Sequence, residues 1–358
     1  MPLTIEKLAL VQERIRVNAA KYFPHLAGRE ISVRCRRFPG GSNPLYCCEL
    51  QPNNGPTPSA QIIVKFAPKP LLIEFDYLTL LYETRSEIAS GLVVLRPLDF
   101  FPDVNALLTE KIGGEPLLRL VLRKLHRFAG HTERESIAAR IRLCGQWLAN
   151  FHRLTHGPND APFDEAWIDD VSGRIRDLER IGFSPLALRT ARTILSSLHR
   201  FGHSRPAPYA PKHGDFGLWN VQAGDDWVCV FDLNDRRSVC IYDDLAFFVV
   251  TLEIINTWPR YPLFDRRAAV AMKGHLLEGY FGSNKRYSDV LMEGHMLKQF
   301  LFRCVRQRGD VAARSPMLLP LFDAVYLPFY SQRVLRQCER IDRFLSDEVN
   351  RASVVRHA

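Results

Sequence analysis

The chain has 358 residues, of which 46% are hydrophobic and 24% are charged, and its formal net charge is +9. This composition is that of a globular protein with a substantial buried core, and it excludes a disordered or fibrous chain. The basic residues do not alternate with aromatic residues in a recognised module, so we expect no nucleic-acid partner.

The sequence shows neither a membrane span nor a signal peptide. No apolar run approaches the length that a span requires, and the N-terminal segment already contains Glu6 and Glu13. We therefore expect a cytoplasmic protein. The eight cysteines form no CxxC pair and no Cys/His cluster at zinc-ligand spacing, so we expect reduced, mostly buried thiols.

The first part of the chain alternates short β-like runs with turn signals. The N-terminal segment 1–23 is helix-patterned, a second helical run is inserted between the strands, and the paired glycines 113 and 114 interrupt the chain after it. These patterns predict a small sheet with one inserted helix. The predicted strands cover 31–38, 45–50, 62–66, 98–100 and 106–110, and the predicted helix covers 71–87.

Beyond residue 113 the pattern is mainly helical. Thr132 and Glu135 form a capping-box pattern, and apolar residues at helical spacing follow it. A stretch of short strands and loops at 209–242 interrupts the helices. Further helices are predicted at 170–201, 243–255, 266–281, 289–308 and 318–350.

The segment HGDFGLWN lies in that interruption, at residues 213–220. It places Asp215 two residues after His213, and Asn220 five residues after Asp215. Phosphoryl transfer needs a carboxylate that orients the acceptor hydroxyl and takes its proton, and a nearby amide oxygen that holds magnesium. Asp215 and Asn220 fit these two tasks. The alternative is a loop in which both side chains bond only their own backbone.

A second carboxylate follows at the end of a short apolar strand. The segment VCVFDLN places Asp232 twelve residues after Asn220. Magnesium takes hard oxygen ligands and keeps several waters, so one Asp, one Asn and nucleotide phosphates suffice to hold it. Asp235 competes for the assignment, but the apolar run ends at Phe231 and favours Asp232.

With these residues the chain resembles the aminoglycoside phosphotransferase and choline kinase-like family, whose catalytic loop reads His-Gly-Asp. The resemblance covers nearly the whole chain in order. It implies an α+β, two-lobed fold like that of protein kinases, with a small β-rich N-terminal lobe at residues 1–112 and a larger helical C-terminal lobe at residues 113–358. ATP is the implied phosphate donor and Mg²⁺ the implied metal, with GTP left open.

The resemblance also implies roles for the residues of the loop and the strand after it. Asp215 is the implied catalytic base, and Asn220 and Asp232 are the implied magnesium ligands. His213 is implied to brace the loop.

A glycine-containing turn lies between the first two predicted strands. Gly40, Gly41, Ser42 and Asn43 form this turn, and the absence of a Cβ at the glycines lets backbone amides approach phosphate oxygens. A plain hairpin turn explains the residues equally well. Only the resemblance favours phosphate binding here.

Lys65 interrupts an otherwise apolar strand, IIVKF. The resemblance implies that it contacts the nucleotide phosphates and pairs with a helix glutamate. Glu74 fits the family pattern, but it follows Lys65 by only nine positions, so Glu83 is the second candidate. A solvent-facing lysine is the alternative.

Two further assignments rest on order along the chain. The segment 106–117 resembles the hinge between lobes, whose backbone from Glu110 to Ile112 is implied to bond adenine. Asp244 resembles the aspartate at the start of the helix that follows the metal site. We expect Asp244 to have a structural role, as the cap of that helix.

The acceptor is less well defined than the donor. Residues 258–314 contain eleven Lys or Arg against five Asp or Glu, which favours a neutral or anionic acceptor over a polycationic aminoglycoside. The segment HGDFGLWN is similar to the corresponding segment of a bacterial subgroup of the family that is associated with surface-polysaccharide genes. This resemblance implies that the acceptor group is a sugar or glycan hydroxyl. The alternative function is a kinase-like protein that binds a nucleotide or a partner without turnover.

Overall fold

The computed structural model describes residues 5–38, 43–53, 60–155, 159–161, 165–203, 206–233, 235–256, 261–283 and 287–356. Within these ranges the protein is an α+β structure with a β-rich N-terminal region and a larger helical C-terminal part, as the sequence predicted. None of the helices described is both long enough and apolar enough to cross a membrane.

The N-terminal lobe is built on an antiparallel sheet of five strands in the order β1-β2-β3-β6-β5. Alternate residues of β3 are buried on one face of this sheet, and Lys65 projects from the other face. The strands of this region are β1 (Ile31–Arg37), β2 (Leu45–Pro52), β3 (Ala60–Phe66), β4 (Leu92–Val93), β5 (Pro97–Phe101) and β6 (Ala106–Glu110).

Helices cover both faces of the sheet. On one face, α1 (Ile5–Val17) and α2 (Ala19–Tyr22) bury apolar side chains against the strands and form a core of their own with them. On the other face lies α3 (Leu72–Glu83), whose Leu78 and Leu81 belong to the larger core of the C-terminal lobe. The helix α3 therefore ties the sheet to the rest of the protein.

Two of the cysteines are not reduced. Cys35 of β1 and Cys48 of β2 are direct partners in the strand register and are joined by a disulfide. The expectation of reduced thiols is therefore wrong for this pair. The two cysteines are 13 residues apart in the sequence, and the pairing of their strands brings the side chains together. The other six cysteines are free and buried, as expected.

The C-terminal lobe is mainly helical, with short strands around residues 213–220, which we call the catalytic segment after the role that the sequence predicts. Two small sheets have the orders β4-β11-β10-β7 and β12-β9-β8, so β4 of the N-terminal part joins a C-terminal sheet. The strands are β7 (Glu115–Pro116), β8 (Asn159–Ala161), β9 (Ala207–Pro211), β10 (Val221–Ala223), β11 (Val228–Val230) and β12 (Ser238–Cys240). The helices are α4 (Leu117–Lys124), α5 (His131–Leu154), α6 (Glu165–Arg180), α7 (Pro185–His203), α8 (Tyr242–Ile254), α9 (Arg266–Phe281), α10 (Asp289–Arg314) and α11 (Leu319–Arg356).

The helical predictions differ from the structure in three places. The helix α4 was not predicted. The stretch predicted at 170–201 is two helices, α6 and α7, separated by a turn in which Gly182 has a φ of 77°. The predicted capping box at Thr132 is wrong, because α5 begins earlier and Glu133 accepts a hydrogen bond from the N–H of Gly130 at 3.2 Å.

The helices α5 and α9 pack at very close range. A Cβ atom at Gly145 of α5 would lie 2.1 Å from the carbonyl oxygen of Leu276, and one at Gly279 of α9 would lie 2.0 Å from that of Arg142. Two glycines thus let the backbones touch. This contact positions α5, which supports the catalytic segment through Trp147 and Phe151.

We expect Gly279→Ala to lower the free energy of unfolding by about 1 to 3 kcal/mol, because the methyl group forces two packed helices apart. Gly274→Ala is the matched control, since Gly274 lies on the same helix and a Cβ there meets nothing within 4 Å. That control should be neutral or more stable by up to about 1 kcal/mol. Denaturant unfolding measures both. Equal stability of the two variants would contradict the close contact.

Candidate active site

The catalytic segment is held from behind by a single carboxylate. The backbone N–H groups of His213 and Gly214 donate to the two oxygens of Asp244, at 2.8 and 3.1 Å. Asp244 is buried at the start of α8 and also lies 3.9 Å from Nε2 of His152. Burial alone would raise the pKa of Asp244, but the nearby His152 and Lys212 lower it below its ordinary value.

The predicted helix cap by Asp244 is wrong. The N-cap position of α8 is Ile241, which makes no side-chain cap bond, and Asp244 lies inside the first turn of the helix. The carboxylate of Asp244 instead accepts hydrogen bonds from two backbone N–H groups of the loop about thirty residues earlier. Without this carboxylate the two N–H groups would be buried without a partner. The adjacent Asp243 is buried and binds Lys212 at 2.6 Å and Lys298 at 2.9 Å.

His213 lies inside the core rather than in the site. Its ring is fully buried and packs against Trp147, Phe151 and Phe216, with centroids 5.4 to 6.4 Å apart. Burial lowers the pKa of this imidazole, which favours the neutral form. The structure therefore places His213 behind the loop that carries Asp215.

One carboxylate oxygen of Asp215 accepts hydrogen bonds from described residues, and the other accepts none from them. Oδ2 accepts hydrogen bonds from Nε1 of Trp219 at 2.9 Å and from Nδ2 of Asn220 at 3.0 Å. Nδ2 of Asn220 also donates to the carbonyl of Asp215 at 2.9 Å. No described residue donates to Oδ1 of Asp215 or to Oδ1 of Asn220, so these two oxygens are available to ligands.

Lys65 connects the sheet to the C-terminal lobe. Its ammonium lies 2.5 Å from Oε2 of Glu74 and 2.5 Å from Oδ1 of Asp232. Burial opposes the charge on Lys65, but the two carboxylates raise its pKa above the ordinary value. Of the two candidate glutamates the structure pairs Glu74 with Lys65, while Glu83 is exposed at the end of α3.

The backbone that leads into Asp232 is hydrogen-bonded to the backbone of Asn220. The N–H of Phe231, just before Asp232, donates to the carbonyl of Asn220 at 3.1 Å. Asp232 has a φ of 73°, a left-handed conformation that a non-glycine residue rarely adopts. The competing Asp235 is instead bound by Arg237, at 2.5 Å.

These residues fit a magnesium ion that also binds phosphates. An amide oxygen and a carboxylate are hard donors of the kind that Mg²⁺ prefers. Within the described ranges no group of three or more His, Cys, Asp or Glu could hold a metal alone. A metal held by Asn220 and Asp232 would take its other oxygen ligands from water or from phosphate groups.

The remaining nucleotide assignments are only partly described. Gly40, Gly41 and Ser42 lie outside the described residues, and Asn43 is a bend just before β2. At the predicted hinge, Glu110 ends β6 and its N–H donates to the carbonyl of Arg96 at 3.0 Å. The N–H of Ile112 donates to no described residue, which leaves it free for a ligand.

Three features of the site were missed from the sequence. Trp219 lies within HGDFGLWN, but nothing in the sequence shows that its N–H reaches Asp215. The Lys212–Asp243–Lys298 cluster joins residues far apart in the chain, so no local pattern reports it. The burial of Arg303 is the third feature: the sequence allows this arginine to bind a phosphate or a uronate, or to lie on a solvated helix face, but it follows Met292, Met296 and Gln299 on the buried face of α10.

Solved structures with the same architecture are kinases of small molecules. A choline/ethanolamine kinase family protein from Mesorhizobium loti has a TM-score of 0.53 at 15% identity, over 93% of this chain and 97% of that one. A glucosamine kinase in complex with glucosamine, ADP and inorganic phosphate has a TM-score of 0.55 at 14% identity, over 88% of this chain and 82% of that one. A choline kinase from Cryptosporidium parvum has a TM-score of 0.55 at 13% identity, over 94% and 97%.

The chain has the choline kinase-like fold. The resemblance predicted from the sequence is thus confirmed, at the level of the fold. No protein-family model and no curated protein matches the sequence. At these low identities the likeness concerns the choline kinase-like fold alone, and the chemistry must be argued from the side chains.

We expect Asp244→Asn to lower the free energy of unfolding by about 2 kcal/mol at pH 7, because an amide cannot accept from both loop N–H groups equally well. The pKa of Asp244 is lowered in the folded state, so its stabilisation is complete above about pH 4, the unfolded value, and is lost as the pH falls further. The stability difference from the wild type should therefore shrink below about pH 4.

Denaturant unfolding across pH measures this difference. Asp226→Asn is the matched control, because Asp226 is exposed and makes no ion pair with a described residue. An Asp244→Asn protein as stable as this control at pH 7 would show that the carboxylate does not hold the loop.

Proposed function

We propose that this protein is a magnesium-dependent phosphotransferase that moves the γ-phosphate of ATP to a hydroxyl of a small molecule or glycan. The observation that carries the proposal is the convergence of Lys65, Asp215, Asn220 and Asp232 from three distant segments of the chain. Residues 1–112 would form the nucleotide-binding lobe and residues 113–358 the lobe with the catalytic and acceptor sites.

On the nucleotide side, the charged groups match the needs of a polyphosphate. Lys65 stays protonated between two carboxylates, so its ammonium is fixed where it can contact phosphate oxygens. Oδ1 of Asn220 and the carboxylate of Asp232 would hold Mg²⁺, which when bound neutralises phosphate charge. ATP is the proposed donor, and GTP fits the same side chains.

On the acceptor side, Asp215 is the proposed base. The donors Trp219 and Asn220 fix the carboxylate through Oδ2, so that Oδ1 can accept the proton of the acceptor hydroxyl. The hydroxyl oxygen forms a bond to the γ-phosphorus as the bond to the leaving ADP oxygen breaks. The proton ends on Asp215, and the products are a phosphate ester and ADP.

The acceptor class follows from charge. Residues 258–314 contribute an excess of basic residues to the C-terminal helices, which disfavours a polycationic aminoglycoside and favours a neutral or anionic alcohol. We propose a sugar or glycan hydroxyl, as in surface-polysaccharide metabolism in the cytoplasm.

We expect Asp232→Ala to remove the part of ATP affinity that depends on Mg²⁺, by about tenfold or more, because a carboxylate ligand is lost. Calorimetric titration with ATP, with and without Mg²⁺, measures this. Asp235→Ala is the control, since Arg237 already binds that carboxylate. Equal ATP affinity of the wild type with and without Mg²⁺ would exclude the metal assignment.

We expect Asp215→Asn to lower kcat by about 10² to 10⁴-fold, because the amide still accepts from Trp219 but cannot take a proton. ATP binding should be unchanged, since Asp215 acts on the acceptor. The measurement is ADP release in a screen of sugars, choline, aminoglycosides and glycan acceptors, followed by calorimetry. Unchanged turnover would remove Asp215 from the mechanism. A wild type that binds ATP but releases no ADP with any acceptor would favour a nucleotide-binding protein without turnover.

A further inference from the structure

Arg303 is a buried cation that forms no ion pair with a carboxylate in the part of the chain that the structure describes. Its side chain projects from α10 and the residue is only 7% exposed. The guanidinium carbon lies 4.1 Å from the ring centre of Phe247 and 4.9 Å from that of Trp219. Its one hydrogen bond among the described residues is a long one, from Nη2 to the hydroxyl of Thr251 at 3.4 Å, and Nε is buried and unpaired.

Burying a charged group without an opposite charge is unfavourable, so such a group is retained where something compensates it. Contacts with two aromatic rings compensate in part. Burial lowers the pKa of Arg303 to about 10, so the group is still charged near neutral pH. No described carboxylate lies within 4 Å of it.

The neighbouring arginines of α10 differ from Arg303. Arg308 forms two hydrogen bonds to the carboxylate of Asp323, at 2.8 and 2.9 Å, and its charge is therefore satisfied. Arg306 is exposed to solvent. Of these three arginines, only Arg303 is held in place by its surroundings and still has N–H groups to donate to a ligand.

The position of Arg303 connects it to the proposed base. The indole of Trp219 contacts the guanidinium on its ring and donates its N–H to Oδ2 of Asp215. Asp215 is also the carboxylate that acts most strongly on the charge of Arg303. The guanidinium therefore lies on the acceptor side of the site, next to the base and not at Lys65.

A cavity lies near the ends of the same helices, one turn of α10 from Arg303, which is not itself among the lining residues. This cavity of about 840 Å³ is lined by the ends of α8 and α10 together with α4 and α11. Gln307, in its wall, is one turn of α10 beyond Arg303, and Ile255 is one turn beyond Thr251. The described lining is mostly apolar, and Asp310, which is exposed, is the one charged residue among its described members.

We propose that the acceptor is an anionic alcohol, a molecule that carries a carboxylate or a phosphate beside the hydroxyl to be phosphorylated, and that Arg303 binds this anionic group. This inference rests on the proposed function of the same site. The anion supplies the negative charge that Arg303 lacks, and a planar guanidinium binds carboxylate and phosphate oxygens in pairs. The same interaction places the hydroxyl beside Asp215.

A purely positioning role for Arg303 predicts something different. If the guanidinium only held Trp219 against Asp215, its removal would slow transfer to every acceptor by the same factor. If it binds the acceptor anion, its removal affects anionic acceptors and leaves neutral ones unchanged. Acceptors that differ only in charge therefore separate the two roles.

The test compares glucose, glucosamine, glucuronate and glucose 6-phosphate, and the series glycerol, 3-amino-1,2-propanediol, glycerate and glycerol 3-phosphate. ADP release with Mg²⁺ and ATP gives kcat/KM for the wild type, Arg303→Met, Arg303→Lys and the control Arg306→Met. We expect kcat/KM for an anionic member to exceed that for its neutral partner by about tenfold or more, equivalent to at least about 1.4 kcal/mol.

Arg303→Met should abolish this preference by raising KM for the anion, Arg303→Lys should restore part of it, and Arg306→Met should keep it. A preference for the carboxylate over the phosphate member, or the reverse, identifies the anionic group. Where turnover is too slow to measure, the shift in Tm that each compound causes in the presence of Mg²⁺ and a non-hydrolysable ATP analogue reports binding.

Three outcomes overturn the proposal. They are a preference for neutral or amine members, an equal loss for all members in Arg303→Met, and the absence of both turnover and Arg303-dependent binding of the anions. In the first two outcomes the phosphotransferase itself stands, because transfer that depends on Asp215 is still measured. Loss of Mg²⁺-dependent ATP binding in the wild type would instead contradict the proposed function.

Discussion

The ammonium of Lys65 is buried, and a buried cation is stable only when opposite charges surround it. The chain supplies these charges from two places, Glu74 in the first turn of α3 and Asp232 at the end of β11. Satisfying one charge therefore fixes the sheet, the helix above it and a strand of the C-terminal lobe relative to each other. The left-handed backbone of Asp232 is tolerated at this point, where the carboxylate must turn toward the lysine.

The catalytic segment is also stabilised by a buried carboxylate, but here the carboxylate accepts hydrogen bonds from backbone N–H groups and does not pair with a cation. Asp244 satisfies two loop N–H groups and Asp243 binds two lysines, so the start of α8 acts as a buried acidic support. With the loop fixed from behind, Asp215 can leave one oxygen without a donor among the described residues. The close glycine contact between α5 and α9 completes this support, because α5 packs its aromatic rings against His213.

The two sides of the site differ in how their charges are balanced. On the side proposed to bind the nucleotide, the cation of Lys65 is shared by two carboxylates, and a bound nucleotide with its metal would redistribute this balance. On the side proposed to bind the acceptor, Arg303 is stacked on aromatic rings and contacts no carboxylate of the described residues. A positive charge beside the proposed base would favour negatively charged acceptors.

The sequence by itself determined the order of the lobes, most of the strands and long helices, and the segments that carry Asp215, Asn220 and Asp232, because these depend on local periodicity and spacing. Tertiary structure alone decided the contacts between distant segments. It paired Lys65 with Glu74 rather than Glu83, turned Asp244 from a helix cap into an anchor for the loop, joined Cys35 to Cys48, and buried Arg303 beside Trp219. Each of these outcomes depends on which surfaces meet after folding, and a side chain chooses its partner by distance and burial, which local sequence patterns do not record.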